Sequence, residues 1–228
     1  VSAPVRRILL VNPNTNAATT AMMVEAARGA VAEVGQDATV HGVTAATGPA
    51  MIIDPAALAD AVAPTVAAGR AGVDAYAAEA VIVAAFGDPG IAELRAAVQV
   101  PVLGIGETAL RAAAGRRVPF AIVTSTPRLH APLSGLVAAH CPDGNFVGIF
   151  YADGDPVELA ADPDRNVAAL DAAIDAALAA GAQCVVIGGG PLTGAARQLA
   201  SRTDVAVIEP VPCAVRSALS VLDHAMQC

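Results

Sequence analysis

The stretch Ile8-Leu9-Leu10-Val11-Asn12-Pro13-Asn14-Thr15 decides the fold. Four consecutive aliphatic residues are what a strand buried on both faces requires, and they run directly into a turn made of two amides, a proline and a hydroxyl. The plan then returns. Val81-Ile82-Val83-Ala84-Ala85 leads into Phe86-Gly87-Asp88-Pro89-Gly90, Ala121-Ile122-Val123 into Thr124-Ser125-Thr126-Pro127, and Val185-Val186-Ile187 into Gly188-Gly189-Gly190-Pro191. Each half of the chain carries one pair of such segments, which marks an internal duplication.

Working outward from these segments, strands are expected at Arg6–Asn12, Ala38–Val43, Ala80–Ala85, Val100–Gly104, Phe120–Ser125, Phe146–Tyr151, Cys184–Gly188 and Val205–Glu209. Ala-rich segments of helical period separate them at Thr19–Val34, Pro55–Ala68, Ile91–Ala97, Leu129–His140, Asp164–Ala180 and Cys213–Met226. Gly35, Gly69 and Gly181 are placed to end helices, because only glycine adopts the left-handed cap cheaply. Strands alternating with helices imply an α/β fold. The duplication makes it two pseudo-symmetric, doubly wound lobes, each on a parallel four-stranded sheet, with a ligand cleft between the carboxyl ends of the strands. The first lobe is expected over residues 1–106 and the second over 107–212, divided in the stretch Gly106 to Gly115. The last helix, 213–228, is expected to pack back on the first lobe.

Composition narrows the function. The 228 residues are 55% hydrophobic and 15% charged, which fits a globular chain with a large core. A net charge of -8 disfavours nucleic acid and anionic membranes as partners, and the longest apolar runs fall well short of the ~18 residues of a membrane span. All 13 basic residues are arginine, so neither a Schiff-base lysine nor a phosphate-binding Walker lysine is available. The four cysteines show no Cys-x-x-Cys pair and the four histidines no ligand spacing, so neither a metal nor a disulfide framework is expected. Scattered thiols and the lack of a basic-then-apolar leader suit a cytoplasmic setting. Gly104-Ile105-Gly106-Glu107-Thr108-Ala109 superficially matches a dinucleotide fingerprint, but the next strand ends at Thr124 to Thr126 without the acidic residue that would hold a ribose. A tight turn and no cofactor are the expectation, leaving a small molecule as partner.

The four polar turns supply candidate binding groups. Asn14, Thr15, Thr124, Ser125 and Thr126 offer amides and hydroxyls, while Gly188, Gly189 and Gly190 let backbone N–H groups approach a ligand. Such neutral donors suit a carboxylate or an imide oxygen. Any one hydroxyl could equally cap a helix, but four such ends converge on one cleft.

These residues resemble the aspartate/glutamate/hydantoin racemase superfamily, most closely its hydantoin and allantoin racemase branch. Asn12-Pro13-Asn14-Thr15, Phe86-Gly87-Asp88-Pro89-Gly90, Thr124 to Pro127 and Ile187-Gly188 carry the resemblance in order along nearly the whole chain. The resemblance implies an isomerase-type, cofactor-independent homo-oligomer whose site lies between two lobes, with Phe86 and Gly87 beside the substrate. It also implies proton transfer by two cysteines on opposite faces of the substrate, one thiolate removing the α-proton and the other thiol returning it.

Neither cysteine is present at the corresponding positions. Ala85 stands directly before Phe-Gly-Asp-Pro-Gly and Gly189 directly after Gly188, and neither a methyl nor a hydrogen titrates. Cys184 lies five residues before Gly189 on the same strand and reads as core. Cys213 follows Pro212 near the first turn of the last helix, where a helix N-terminus favours a thiolate, so it is one candidate proton carrier. Asp88 is the other, with helix capping as its alternative role. Three readings follow: a racemase-like enzyme on a hydantoin-like ring or α-substituted acid, a lyase or hydrolase on the same scaffold, or a small-molecule-binding protein without catalysis.

Overall fold

The computed structural model describes residues 5–142, 145–202 and 205–225. The expected end of the last helix, residues 226–228, lies outside them. Two four-stranded sheets form, both parallel throughout. The first has the order β2-β1-β3-β4, with β1 Arg6–Asn12, β2 Ala38–Thr44, β3 Ala80–Val83 and β4 Val102–Gly104. The second repeats it as β6-β5-β7-β8, with β5 Phe120–Thr124, β6 Phe146–Tyr151, β7 Cys184–Ile187 and β8 Ala206–Ile208.

The aliphatic runs make sense once the faces are separated, since successive strand residues point to opposite sides. Ile8, Leu10, Ile82, Phe120, Ile122 and Val186 share one core that runs continuously between the two sheets. Leu9, Val11, Val81 and Val83 face a second core on the outside of the first sheet. Ala121, Val123, Val185 and Ile187 face a third on the outside of the second sheet. Both faces of the inner strands are buried, and the sequence there cannot alternate.

Four helices thicken the central core: α1 Ala17–Val34, α5 Ile105–Gly115, α6 His130–His140 through Leu133 and Val137, and α10 Pro210–Ala225. Helix α10 packs on α1, α5, β3 and β4, and Arg6 of β1 fixes its far end by donating to the Leu222 carbonyl at 3.1 Å. The stretch Gly106 to Gly115, read as a boundary, is itself helical, and its first turn is buried. The outer layers hold α3 Val62–Tyr76 and α4 Ile91–Ala97 on the first sheet and α8 Pro163–Ala179 and α9 Thr193–Ala200 on the second, with α2 Pro55–Asp60 and α7 Pro156–Ala161 completing the fold.

Three local departures have physical causes. The helix expected over Pro55–Ala68 is two helices, α2 and α3, because the Pro64 ring would collide with the carbonyl four residues earlier in an unbroken helix. Gly69 is interior to α3 rather than its cap, since a Cβ there would fall 2.6 Å from Leu94 Cδ2 of α4; the helix ends instead at Ala77 in the left-handed region. The last helix starts at Pro210, three residues before the expected Cys213, because both prolines are tolerated in a first turn, where N–H groups have no intrahelical acceptor.

Candidate functional site

The carboxyl ends of β1, β3, β5 and β7 meet at a cavity between the lobes. Asn14 lines it from the turn after β1, Ala84, Ala85 and Phe86 from the turn after β3, Ser125 and Thr126 after β5, and Gly188 to Leu192 after β7. Met51 and Ile52, from the segment between β2 and α2, and Leu129, ahead of α6, complete the wall. None of these residues carries a titratable side chain.

The turn after β1 presents one donor. Asn14 Oδ1 accepts from the Asn16 backbone N–H at 2.9 Å and from Asn12 Nδ2 at 2.9 Å. A backbone N–H can only donate, so this fixes the amide orientation and leaves Asn14 Nδ2 without a partner among the described residues. Asn12 is fully spent inside the turn, on Asn14, the Asn16 carbonyl and Thr20. Thr15 is half-buried and off the cavity wall, its N–H donating to the Pro49 carbonyl at 3.0 Å.

The turns after β5 and β7 form one unit. Thr124 Oγ1 donates to the Gly188 carbonyl at 2.6 Å and lies 3.1 Å from Thr126 Oγ1. The single Thr124 proton is committed to the carbonyl, so Thr126 donates to Thr124 and turns its lone pairs outward as an acceptor. Ser125 is buried against the cavity, and its hydroxyl bonds to none of the described residues. The same holds for the N–H groups of Gly189 and Gly190. The cavity thus offers unpartnered donors at Asn14, Ser125, Gly189 and Gly190 and one oriented acceptor at Thr126. Gly189 has φ 163°, extended backbone open to any residue. Gly188 is closely covered, with a Cβ there falling 3.0 Å from the Phe86 ring.

Of the residues singled out from sequence, Asn14, Ala85, Phe86, Ser125, Thr126 and Gly188 to Gly190 meet at this cavity. Thr124 stands one residue behind it, and Gly87, at φ +133°, shapes the turn from outside. Asp88 and Cys213 are not on the wall. Asp88 is buried, and its carboxylate accepts from the N–H groups of Gly106 at 2.9 Å and Glu107 at 2.7 Å at the start of α5. Gly104-Ile105-Gly106 is therefore a seat for Asp88: a Cβ on Gly104 would fall 2.1 Å from Asp88 Cγ. Cys213 is buried in the central core, its Sγ donating to the Thr108 carbonyl at 3.5 Å. Burial pushes that thiol up, with Arg216 opposing, so the depressed pKa expected at a helix start is not found.

Sequence reasoning missed Met51 and Ile52, apolar residues of a connecting segment with no motif around them, and Leu129 and Leu192, which lie just past the polar turns. It also missed an ion pair near the cavity: Asp54, the cap of α2, meets Arg128 at 3.0 Å, joining the segment that carries Met51 and Ile52 to the turn that carries Thr126 and Leu129. Among the described residues no group of three or more His, Cys, Asp or Glu is placed to hold a metal ion, and no helix is long and apolar enough to cross a membrane.

This architecture has close relatives. The chain is 29% identical over 217 residues to the hydantoin racemase of Paenarthrobacter aurescens, covering 95% of this chain and 91% of that one. Among solved structures, allantoin racemase from Klebsiella pneumoniae superposes with a TM-score of 0.88 at 27% identity, over 96% of this chain and 89% of its own. Allantoin racemase from Pseudomonas fluorescens gives 0.86 at 25% identity, over 96% and 92%. The family described as Asp/Glu/Hydantoin racemase matches residues 8–218, and with both lobes and the cleft in place the chain belongs to that family, in its hydantoin/allantoin racemase branch.

Proposed function

We propose that the inter-lobe cavity binds a small, uncharged cyclic ureide of the hydantoin kind, without a cofactor, and that Ala85 and Gly189 occupy the places of the family's two proton-transfer thiols. The observation that carries this reading is the cavity's chemistry: free neutral donors, one oriented acceptor, and no titratable side chain on the wall. A hydantoin presents two carbonyl oxygens and two ring N–H groups. Asn14 Nδ2, the Ser125 hydroxyl and the Gly189 and Gly190 N–H groups match the oxygens, and Thr126 Oγ1 matches a ring N–H. An amino acid would bring a carboxylate and an ammonium into a wall without a countercharge, at a desolvation cost the neutral ring avoids.

Backbone N–H groups aimed at a carbonyl also stabilise the enolate that forms when the neighbouring carbon loses its proton. The wall therefore supports the electrostatic half of a racemase reaction while supplying no side chain to carry the proton. The 29% identity to a hydantoin racemase supports the same ligand class.

Calorimetric titration with a 5-substituted hydantoin, its ring-opened N-carbamoyl acid and the parent amino acid tests the ligand class. The reading expects binding of the ring and weaker or no binding of the two charged compounds. Preference for either acid over the ring would overturn it.

A further inference from the structure

We propose that Asp88 is a positioning residue that latches the cavity wall at Ala85 and Phe86 to the start of α5, so that the cavity responds to protonation of a carboxyl its ligand does not touch. The turn is built around this side chain. Asp88 adopts φ +49°, a left-handed conformation strained for a non-glycine residue, between Gly87 and Gly90, both also at positive φ. Its N–H donates back to the Ala85 carbonyl at 2.9 Å, closing the turn that begins on the cavity wall. Its two carboxylate oxygens reach forward to the Gly106 and Glu107 N–H groups, in space that exists because residues 104 and 106 lack side chains. Phe86, between the two anchor points, lies against Gly188 of the opposite lobe. A change in the latch is therefore passed to both walls of the cavity.

The latch is titratable. Burial pushes the Asp88 carboxyl up to about 7; the Gly106 and Glu107 N–H groups and the Arg95 charge pull the other way, while the Glu107 charge adds to the rise. The charged and titratable neighbours come from three elements. Glu107 on α5 accepts from the Gly104 N–H, pairs with Arg95 of α4 and with Arg111 of α5 at 3.9 Å, and lies 3.9 Å from the His140 imidazole at the end of α6, whose pKa is lowered by burial and by Arg111. Helix α10 contributes the neutral Cys213 thiol on the Thr108 carbonyl. Once protonated, the Asp88 carboxyl loses the charge that strengthens both N–H bonds, and the oxygen that carries the proton accepts less well.

A pH titration of backbone amide resonances from pH 5 to 9, without ligand, tests the coupling. Gly106, Glu107, Ala85 and Phe86 are expected to move together with one midpoint near 7, unchanged in His140→Gln and absent in Asp88→Asn. If Gly106 and Glu107 titrate while Ala85 and Phe86 stay still, Asp88 is a helix cap only and the proposal fails. It fails equally if none of the four moves near neutrality. The wild-type and His140→Gln titrations decide this even if Asp88→Asn does not fold.

A second arm rests on the hydantoin reading above. Hydantoin affinity should weaken about fivefold or more below the midpoint, and by linkage bound hydantoin should lower the midpoint by the matching factor. If hydantoin binds at no pH, the ligand reading falls while the resonance titration still decides the latch. Tight but pH-independent binding would overturn the coupling.

Discussion

The Thr124 hydroxyl donates to the Gly188 carbonyl at 2.6 Å, bridging β5 and β7 where both reach the cavity. Thr124 is fully buried, so Thr124→Val leaves the carbonyl without a partner and frees the Thr126 hydroxyl to turn. The expected cost is about 1–3 kcal/mol of stability by urea unfolding, with little loss in Thr124→Ser. Equal stability of Thr124→Val and wild type would show that the bridge contributes nothing.

Asn14 allows binding to be separated from folding. Its Oδ1 holds the turn through Asn12 and Asn16, and Nδ2 is the unpartnered donor. Asn14→Asp keeps the first oxygen and replaces the donor by an acceptor, so the turn should survive while hydantoin affinity falls tenfold or more, the scale of about 1.4 kcal/mol. Ser125→Ala should lose roughly 0.5–1.5 kcal/mol of binding and almost no stability, because its hydroxyl has no partner among the described residues. Unchanged ligand-induced thermal stabilisation in both variants would place the ligand elsewhere.

Burial at 7% exposure and a thiol pushed up from its ordinary pKa make Cys213 a slow nucleophile. Mass-spectrometric mapping after iodoacetamide treatment at neutral pH should find Cys213 and the fully buried Cys184 protected in the native protein and labelled after unfolding. Rapid native labelling of Cys213 would return it to the list of proton carriers.

The sign of the Asp88 contribution to stability follows from linkage. Its folded pKa of about 7 lies above the unfolded value of 3.8, so the native state binds more protons between those values. The contribution is fully present below pH 4 and is lost as pH rises towards 7. Urea unfolding at pH 5 and pH 8 should show a fall with rising pH that is smaller in Asp88→Asn. An equal fall in both proteins would assign the pH dependence to other groups.

The parts of this fold that were legible in the sequence are those in which both faces of an element are buried. Ile8 to Val11 and Val185 to Ile187 leave no alternative to a doubly covered strand, and their polar turns mark where the cleft lies. Long-range packing was not legible. Gly69 looks like a helix cap until Leu94 is placed against it, and Gly104 and Gly106 look like a nucleotide turn until the Asp88 carboxylate fills the space. Cys213 shows the same limit from the other side: starting the helix at Pro210 instead of Cys213 moves the thiol from the expected cleft into the core. At the site, residues carried by motif were recoverable, while Met51 and Ile52 reach the wall only through the path of a connecting segment.

We propose a cavity that holds a hydantoin-like ring and lacks the groups that move its proton. The most direct measurement is exchange of the ring α-proton with D2O, followed by NMR, for wild type and for Ala85→Cys combined with Gly189→Cys. The second substitution needs a small adjustment: the Gly189 backbone is extended, and the atoms nearest an added Cβ belong to the Leu192 side chain, at 3.0 Å, which must give by a few tenths of an ångström. Wild type should bind the ring with exchange near background, and the double variant should raise exchange by roughly 10² to 10⁴-fold, more than either single change. Fast exchange in the wild type, or a folded, ligand-binding double variant with none, would contradict the proposal.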